Sequence, residues 1–243
     1  MQRVVGLVQE TLGLVLAQRG TRSGRIFGRL ITDFFYATGA PPSSMPWHVE
    51  PPTLVMQAAL TERSGRPALD VGCGTGAHAV YLAQQGFHVT GIDVSAEALR
   101  HAEHAANEAG VVVDWQLGDA LTWAPERKFD FVFDRGLMHC LPSQVLGLYK
   151  RQLFSWLRPG GQFVLVHVQR EHWLDICPLG PSKLSGSQLR NHLAPQFSEI
   201  ECMDEGQMRP LGVGPLLRTR GYRFRAQPTE TSGHVPLTRN APV

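Results

Sequence analysis

Cysteine is scarce in this chain, with four in 243 residues, at Cys73, Cys140, Cys177 and Cys202, and no two form a Cys-x-x-Cys pair. This spacing argues against a zinc site and a disulfide framework, and it fits a reducing, cytoplasmic setting. Apolar runs are short, and none reaches the roughly 18 residues of a membrane-spanning helix. Charge is nearly balanced, at a formal +2 with 18% Asp, Glu, Lys and Arg, so no basic stripe recommends nucleic acid as a partner. There is no Gly-x4-Gly-Lys-Ser/Thr phosphate loop and no Gly-x-Ser-x-Gly nucleophile elbow. What remains is an ordinary globular composition, 43% hydrophobic, sufficient for a sizeable core.

Three regions are expected. Residues 1–52 form an N-terminal helical cap and a Pro-rich loop, 53–226 the main domain, and 227–243 a disordered tail. In the first region Val4, Val5, Leu7, Val8, Leu12, Val15 and Leu16 make an apolar helical stripe, followed by Arg19, Arg22, Arg25 and Arg29. Gln9 and Glu10 interrupt the apolar run behind Arg3 and no Ala-x-Ala site follows, which disfavours a cleaved signal peptide. A cap on the core is the plainer reading; an interfacial membrane or dimer contact is the sharper one. The prolines of 40–52 forbid a helix interior there and place Trp47 and His48 on a stiff loop. Residues 53–64 then read as a helix leading into the first strand.

From Ala68 the periodicity alternates. Strands are expected at 68–72, 87–92, 111–117, 129–134, 161–168, 197–203 and 219–225, and helices at 76–85, 95–109, 143–157 and 185–194. Seven strands interleaved with helices predict an α/β fold with a doubly wound, mainly parallel sheet and right-handed crossovers. The 197–225 stretch reads as a hairpin.

The most informative segment is Leu69-Asp-Val-Gly-Cys-Gly-Thr-Gly76, followed 17 residues later by Asp93 at the end of a second apolar run. Glycines in a strand-to-helix turn let a ligand approach bare backbone, and a carboxylate closing the next strand is placed to accept from a ribose diol. The expected ligand is a nucleoside-containing cofactor. The dinucleotide fingerprint puts its third glycine three residues after the second. Here Gly72, Gly74 and Gly76 are two apart, with Asp70 before them.

This Asp-x-Gly-x-Gly-x-Gly order resembles the first motif of the class I S-adenosylmethionine (SAM) methyltransferases, whose fold is Rossmann-like. The resemblance implies SAM as cofactor. It places Asp70 and the glycines around the methionine end, Asp93 with neighbouring Val94 at the ribose, Asp119 at the adenine amino group and Ala120 against the ring. Asp134, ending the fourth strand, falls where cofactor and acceptor sites meet. Further segments, Phe129-Asp-Phe-Val-Phe-Asp-Arg-Gly-Leu-Met-His-Cys-Leu-Pro142, Leu157-Arg-Pro-Gly-Gly161, Gly180-Pro-Ser-Lys-Leu-Ser185, Pro46-Trp47 and Pro51-Pro52, resemble the thiopurine, thiol/halide and tellurite methyltransferase-like group. That likeness implies a small-molecule acceptor and puts Trp47 over the methionine end, shielding the sulfonium. No Asn/Asp-Pro-Pro-Tyr motif stands after the fourth strand, which disfavours adenine-N6 or glutamine methylation.

His139 is the candidate general base, since an imidazole titrates near neutral pH. Arg135, four residues earlier, is the candidate for orienting an anionic acceptor if a helical turn begins there. His167, Arg170, His172 and Trp173 cluster after the fifth strand. Cys73 and Cys140 read as packing residues, and no metal site is expected. Two alternatives stay open: a nicotinamide-dependent oxidoreductase on a similar sheet, and a non-catalytic SAM-binding protein.

Overall fold

Strands and helices alternate along the chain as the periodicity requires, and the helices divide between the two faces of one sheet. The computed structural model describes residues 51, 53, 54, 56, 57, 65–168, 184–208 and 217–228. Expectations for the N-terminal cap, most of the Pro-rich loop with Trp47, most of the 53–64 helix, Arg170, His172, Trp173 and the tail beyond 228 lie outside these residues.

The elements are β1 (Pro67–Val71), α1 (Ala77–Gln84), β2 (His88–Asp93), α2 (Ala96–Glu108), β3 (Asp114–Leu117), β4 (Phe129–Arg135), α3 (Leu137–Cys140), α4 (Ser143–Trp156), β5 (Leu157–Val168), α5 (Gly186–Leu193), β6 (Phe197–Met208) and β7 (Leu217–Ala226). The seven strands lie in the order β3-β2-β1-β4-β5-β7-β6. The pairs β1–β2, β2–β3, β1–β4 and β4–β5 are parallel. β7 is antiparallel to both β5 and β6, so the sheet is mixed. Strand order reverses between β1 and β4, and ligands of open α/β sheets sit at such a switch point, beyond the carboxyl ends of the strands.

Side-chain alternation sorts the core into two clusters. Leu69, Val132, Phe163, Leu165, Tyr222 and Phe224 meet Tyr149, Leu153 and Trp156 of α4 and Leu189 and Leu193 of α5. Ala68, Val89, Phe131, Phe133, Val164 and Val166 meet Ala79 and Leu82 of α1, Ala106 of α2, and Met56. Strands covered on both faces must be apolar on both, which is why 129–135 and 161–168 read as nearly continuous hydrophobic runs.

Boundaries moved where local chemistry decided them. α2 starts at its expected cap, the Ser95 hydroxyl accepting from Ala98 N at 3.1 Å. It stops at Gly110, whose φ of +67° lets Val111 N reach back to Ala106 O at 3.0 Å. Val111, expected as strand, is spent on closing the helix, and β3 starts only at Asp114. β5 starts at Leu157 rather than 161, because Leu157 pairs with Phe129 before the register jumps to Phe131–Gln162. Gln227, first residue of the expected tail, still bonds Gln196 O at 2.8 Å.

Trp115 fixes the spacing of the cofactor side. A Cβ on Gly91 would stand 2.5 Å from its ring, and one on Gly76 would stand 2.7 Å from it and 2.8 Å from Ala102 Cβ. The two glycines thus receive one indole between β2, the glycine turn and α2. Gly91 carries no positive φ, so its requirement is steric alone. Gly91→Ala is expected to cost about 1–3 kcal/mol by overpacking. Chemical denaturation should show the loss, and the double variant Gly91→Ala/Trp115→Leu should lose less than the sum of its parts.

Candidate active site

All three motif glycines adopt left-handed backbone, with φ of +69° at Gly72, +54° at Gly74 and +82° at Gly76. A side chain at any of them would strain the turn. Gly72 N and Cys73 N both donate to Ile92 O, at 2.8 and 3.1 Å, which lays the turn against the end of β2. A Cβ on Gly72 would come within 3.0 Å of Leu137 Cβ, so the turn also abuts the start of α3.

Asp93 ties this end of the sheet together. One carboxylate oxygen accepts from Gly74 N and the other from Ser95 N, each at 2.9 Å. Its carbonyl accepts from Gly118 N at 2.9 Å. One residue therefore holds the glycine turn, the entry to α2 and the exit of β3, and its carboxylate remains at the mouth of the turn. Val94 and Leu117, at neighbouring strand ends, are 37% and 53% exposed, leaving apolar surface beside that carboxylate. Asp119 accepts from Leu121 N at 2.9 Å and turns the chain so that Ala120 is buried next to this surface.

Asp70 is buried, and its carboxyl is pushed up to about 8 by burial, then by the charges of Asp134 and Asp93. Three carboxyl groups thus converge at the ends of β1, β2 and β4 in a poorly solvated place. Such a site gains from a cation and opposes an anion such as a pyrophosphate. The described residues contain no group of three or more His, Cys, Asp or Glu that could hold a metal ion.

Asp134 faces inward. Its oxygens accept from Leu137 N at 2.8 Å, from Met138 N at 3.0 Å and from the Tyr149 hydroxyl at 2.6 Å. Burial raises its carboxyl to about 6, opposed by Tyr149, by His139 and by the two amides. The carboxylate caps α3. Tyr149, one α4 turn from Leu146 and Leu153 in the core stripe, was not legible as its partner, because apolar periodicity alone explained its place.

Arg135 and His139 do not form the expected pair. Gly136, at φ +106°, starts α3 one residue after Arg135, so helical i,i+4 spacing does not apply. Alternation along β4 sends Arg135 and Asp134 to opposite faces. Burial pulls the Arg135 guanidinium down to about 10, opposed by the charges of Cys140 and Glu205. Glu205 in turn accepts from Leu54 N at 2.8 Å, so the chain entering β1 crosses this side. On the α4 side His139 Nδ1 accepts from Val168 N at 3.5 Å, and its ring lies 5.7 Å from that of His167. Sequence reading placed His167 only in a polar cluster. The cluster's remaining members lie outside the described residues.

Comparison with known proteins agrees with this geometry. Residues 68–161 match the family described as "Methyltransferase domain". The chain is 32% identical over 177 residues to probable thiol methyltransferase 2 of Arabidopsis thaliana, covering 70% of this chain and 74% of that one. It is 28% identical over 176 residues to the ubiquinone biosynthesis O-methyltransferase of Ralstonia nicotianae, covering 63% and 69% respectively. In fold it resembles the SAM-bound magnesium protoporphyrin IX methyltransferase of Synechocystis, with TM-score 0.62, 17% identity, and coverage of 82% and 96%. Among the described residues no helix is long and apolar enough to cross a membrane.

The carboxyl cluster makes a linkage prediction. Asp70 is raised in the fold from an ordinary 3.8 to about 8, so its protonated form is the one folding favours. Its contribution to stability is intact below about pH 4 and is lost as pH rises through 8. Asp70→Asn should therefore melt higher than the parent at pH 8, by about 2–4 °C for each kcal/mol relieved, with the gap closing at pH 4–5. Calorimetric titration should show the opposite trend for SAM: parent affinity rises from pH 6 to 8, and the variant's stays flat.

Proposed function

Because this chain belongs to the class I SAM-dependent methyltransferases, we propose that residues 53–226 form its catalytic domain and methylate a thiol or acidic hydroxyl of a small molecule. The observation that carries the site assignment is the meeting of Asp70, Asp93 and Asp134 around a left-handed glycine turn. A cationic nucleoside satisfies that charge, whereas the pyrophosphate of a nicotinamide dinucleotide opposes it. The relatives named for thiol and O-methyl transfer support sulfur or oxygen as the receiving atom. The described cysteines Cys73, Cys140 and Cys202, none of them in a disulfide, support a reducing, cytoplasmic setting.

Asp93 would hold the ribose hydroxyls, and Val94 and Ala120 would flank the adenine ring, with Asp119 at its amino edge. Gly72, Gly74 and Gly76 would admit the methionine end, where the charge of Asp70 and Asp134 meets the cation. Trp47, on the resemblance alone, would cover the sulfonium with an aromatic face. Bound SAM supplies a methyl group on a positively charged sulfur; the acceptor's lone pair takes the methyl while the carbon–sulfur electrons stay on sulfur, giving S-adenosylhomocysteine.

The protein's own work is alignment, exclusion of water and handling of the acceptor proton. Because His139 Nδ1 accepts from Val168, its neutral ring carries hydrogen on Nε2 and donates to an anionic acceptor such as a thiolate. With a neutral hydroxyl the ring must instead present a lone pair, giving up the long Val168 bond, and take the proton as the methyl transfers. Arg135, a half-buried cation at the end of β4, adds a field favouring the anion.

Two variants test this reading. Asp93→Ala should weaken SAM and S-adenosylhomocysteine by about 10–100-fold in calorimetric titration, an expected loss of about 1.4–2.8 kcal/mol. Unchanged affinity would remove Asp93 from the site. His139→Gln should lower kcat/KM for a phenol by about 10²–10⁴-fold. For a thiol assayed above its own pKa the loss should stay below about tenfold, because no proton remains to be moved.

A further inference from the structure

His167 is the penultimate residue of β5, at the carboxyl edge of the sheet, and its side chain is 1% exposed. It shares the face of Leu165, the side occupied by α4 and by the Asp134–Tyr149 pair. Neither of its ring nitrogens has a hydrogen-bond partner. Its directly opposed residue on β7 is Arg220, whose Nε is likewise buried without a partner. Its ring meets that of His139 edge-on, at 5.7 Å and 66°.

Leaving a buried polar atom without a partner costs about 1–3 kcal/mol, and such groups are rare enough to require a reason. Packing supplies none. The strand positions Phe163 and Leu165 on the same face are apolar, and an apolar residue at 167 would continue them without cost. Burial also pulls the His167 imidazole down to about 3, with the charge of His139 acting the same way. The ring therefore stays neutral at physiological pH, with one N–H to give and one lone pair to receive. It cannot carry away a proton, but it can orient a group that bears one. The neighbouring Arg220 cation favours an acceptor with negative character.

We propose that His167 is a positioning residue for the acceptor: it fixes the reacting S–H, O–H or thiolate by hydrogen bonding beside His139 and so selects acceptors with a directional polar head. This rests on the methyl-transfer site described above. Selectivity against an acceptor without that head follows, because a buried site group then goes unpaired.

The test compares the full-length parent with His167→Phe and His167→Asn, using SAM as donor and either thiophenol or iodide as acceptor. Iodide is nearly isotropic and a poor hydrogen-bond partner. His167→Phe should raise the KM for thiophenol by about tenfold or more, as expected for one buried hydrogen bond, with kcat changed less. The KM for iodide should change by less than about threefold, and S-adenosylhomocysteine affinity by less than about twofold, since neither draws on this bond. His167→Asn, which keeps one donor and one acceptor, should recover most of the thiophenol affinity. The melting temperature of His167→Phe should equal or exceed the parent's, because the orphaned nitrogens are gone. An unchanged thiophenol KM in His167→Phe would overturn the proposal, as would a lower melting temperature accompanied by loss of S-adenosylhomocysteine binding. If the parent binds SAM but methylates neither acceptor, the choice of acceptor class has failed. The proposal is then decided by the His167 ring ¹⁵N signals of the S-adenosylhomocysteine complex as thiophenol is added. Movement of those signals upholds it, and their constancy overturns it.

Discussion

The carboxylate of Asp93 is the constraint on which this end of the molecule depends. A single side chain accepts from the middle of the glycine turn and from the first amide beyond β2, while its own carbonyl holds Gly118 at the end of β3. These three contacts bring together segments that are 19, 2 and 25 residues from Asp93. The three alternate glycines of the turn are left-handed, and Asp93 collects the amide of the middle one. On the proposed reading the same residue would also hold a ribose, so the framework of the turn and the recognition of the nucleoside would be one arrangement, with the cost of ordering the loop falling on folding rather than on binding.

Beside it the fold tolerates an electrostatic conflict. Asp70 and Asp134 are buried, close enough to repel, and both are raised well above ordinary carboxyl values. Asp134 escapes most of the penalty through Tyr149 and the amides of α3. Asp70 has less help and stays largely protonated near neutrality until a cation arrives. A site assembled this way is poised for a positively charged ligand at the expense of apo stability, a familiar exchange at functional sites. It also distinguishes this turn from the dinucleotide version on a similar sheet, where the ligand's phosphates bring negative charge to the helix N-terminus.

On the acceptor side the governing feature is the break at Gly136. A positive φ there separates Arg135 from α3, and β4 alternation places the arginine across the sheet from Asp134 and His139. The cation then sits with Glu205 and Cys140, and the chain near Leu54 is drawn over that side. His139 is turned instead toward β5, where Val168 N and His167 meet it. Arg135 thus lies on one face of the sheet and the two imidazoles on the other.

What the sequence determined is local or periodic. The two-residue glycine spacing and the carboxylate closing the next strand announced the cofactor turn. Alternating periodicities gave seven strands and their helices, because a strand covered on both faces has little choice of side chains. Ser95 declared a helix start that its hydroxyl then capped. Tertiary structure decided the rest. Trp115 demands two glycines 15 residues apart, which no window containing one of them reveals. The inward turn of Asp134 depends on a hydroxyl one helix away, and a surface aspartate in a turn would read the same. His167 and His139 are separated by a helix and a strand, and the orphaned state of an imidazole is visible only once every neighbour has been placed. Hydrogen-bond satisfaction and burial are sums over neighbours, so they belong to the fold; φ preference and periodicity belong to the residues and can be read before it exists.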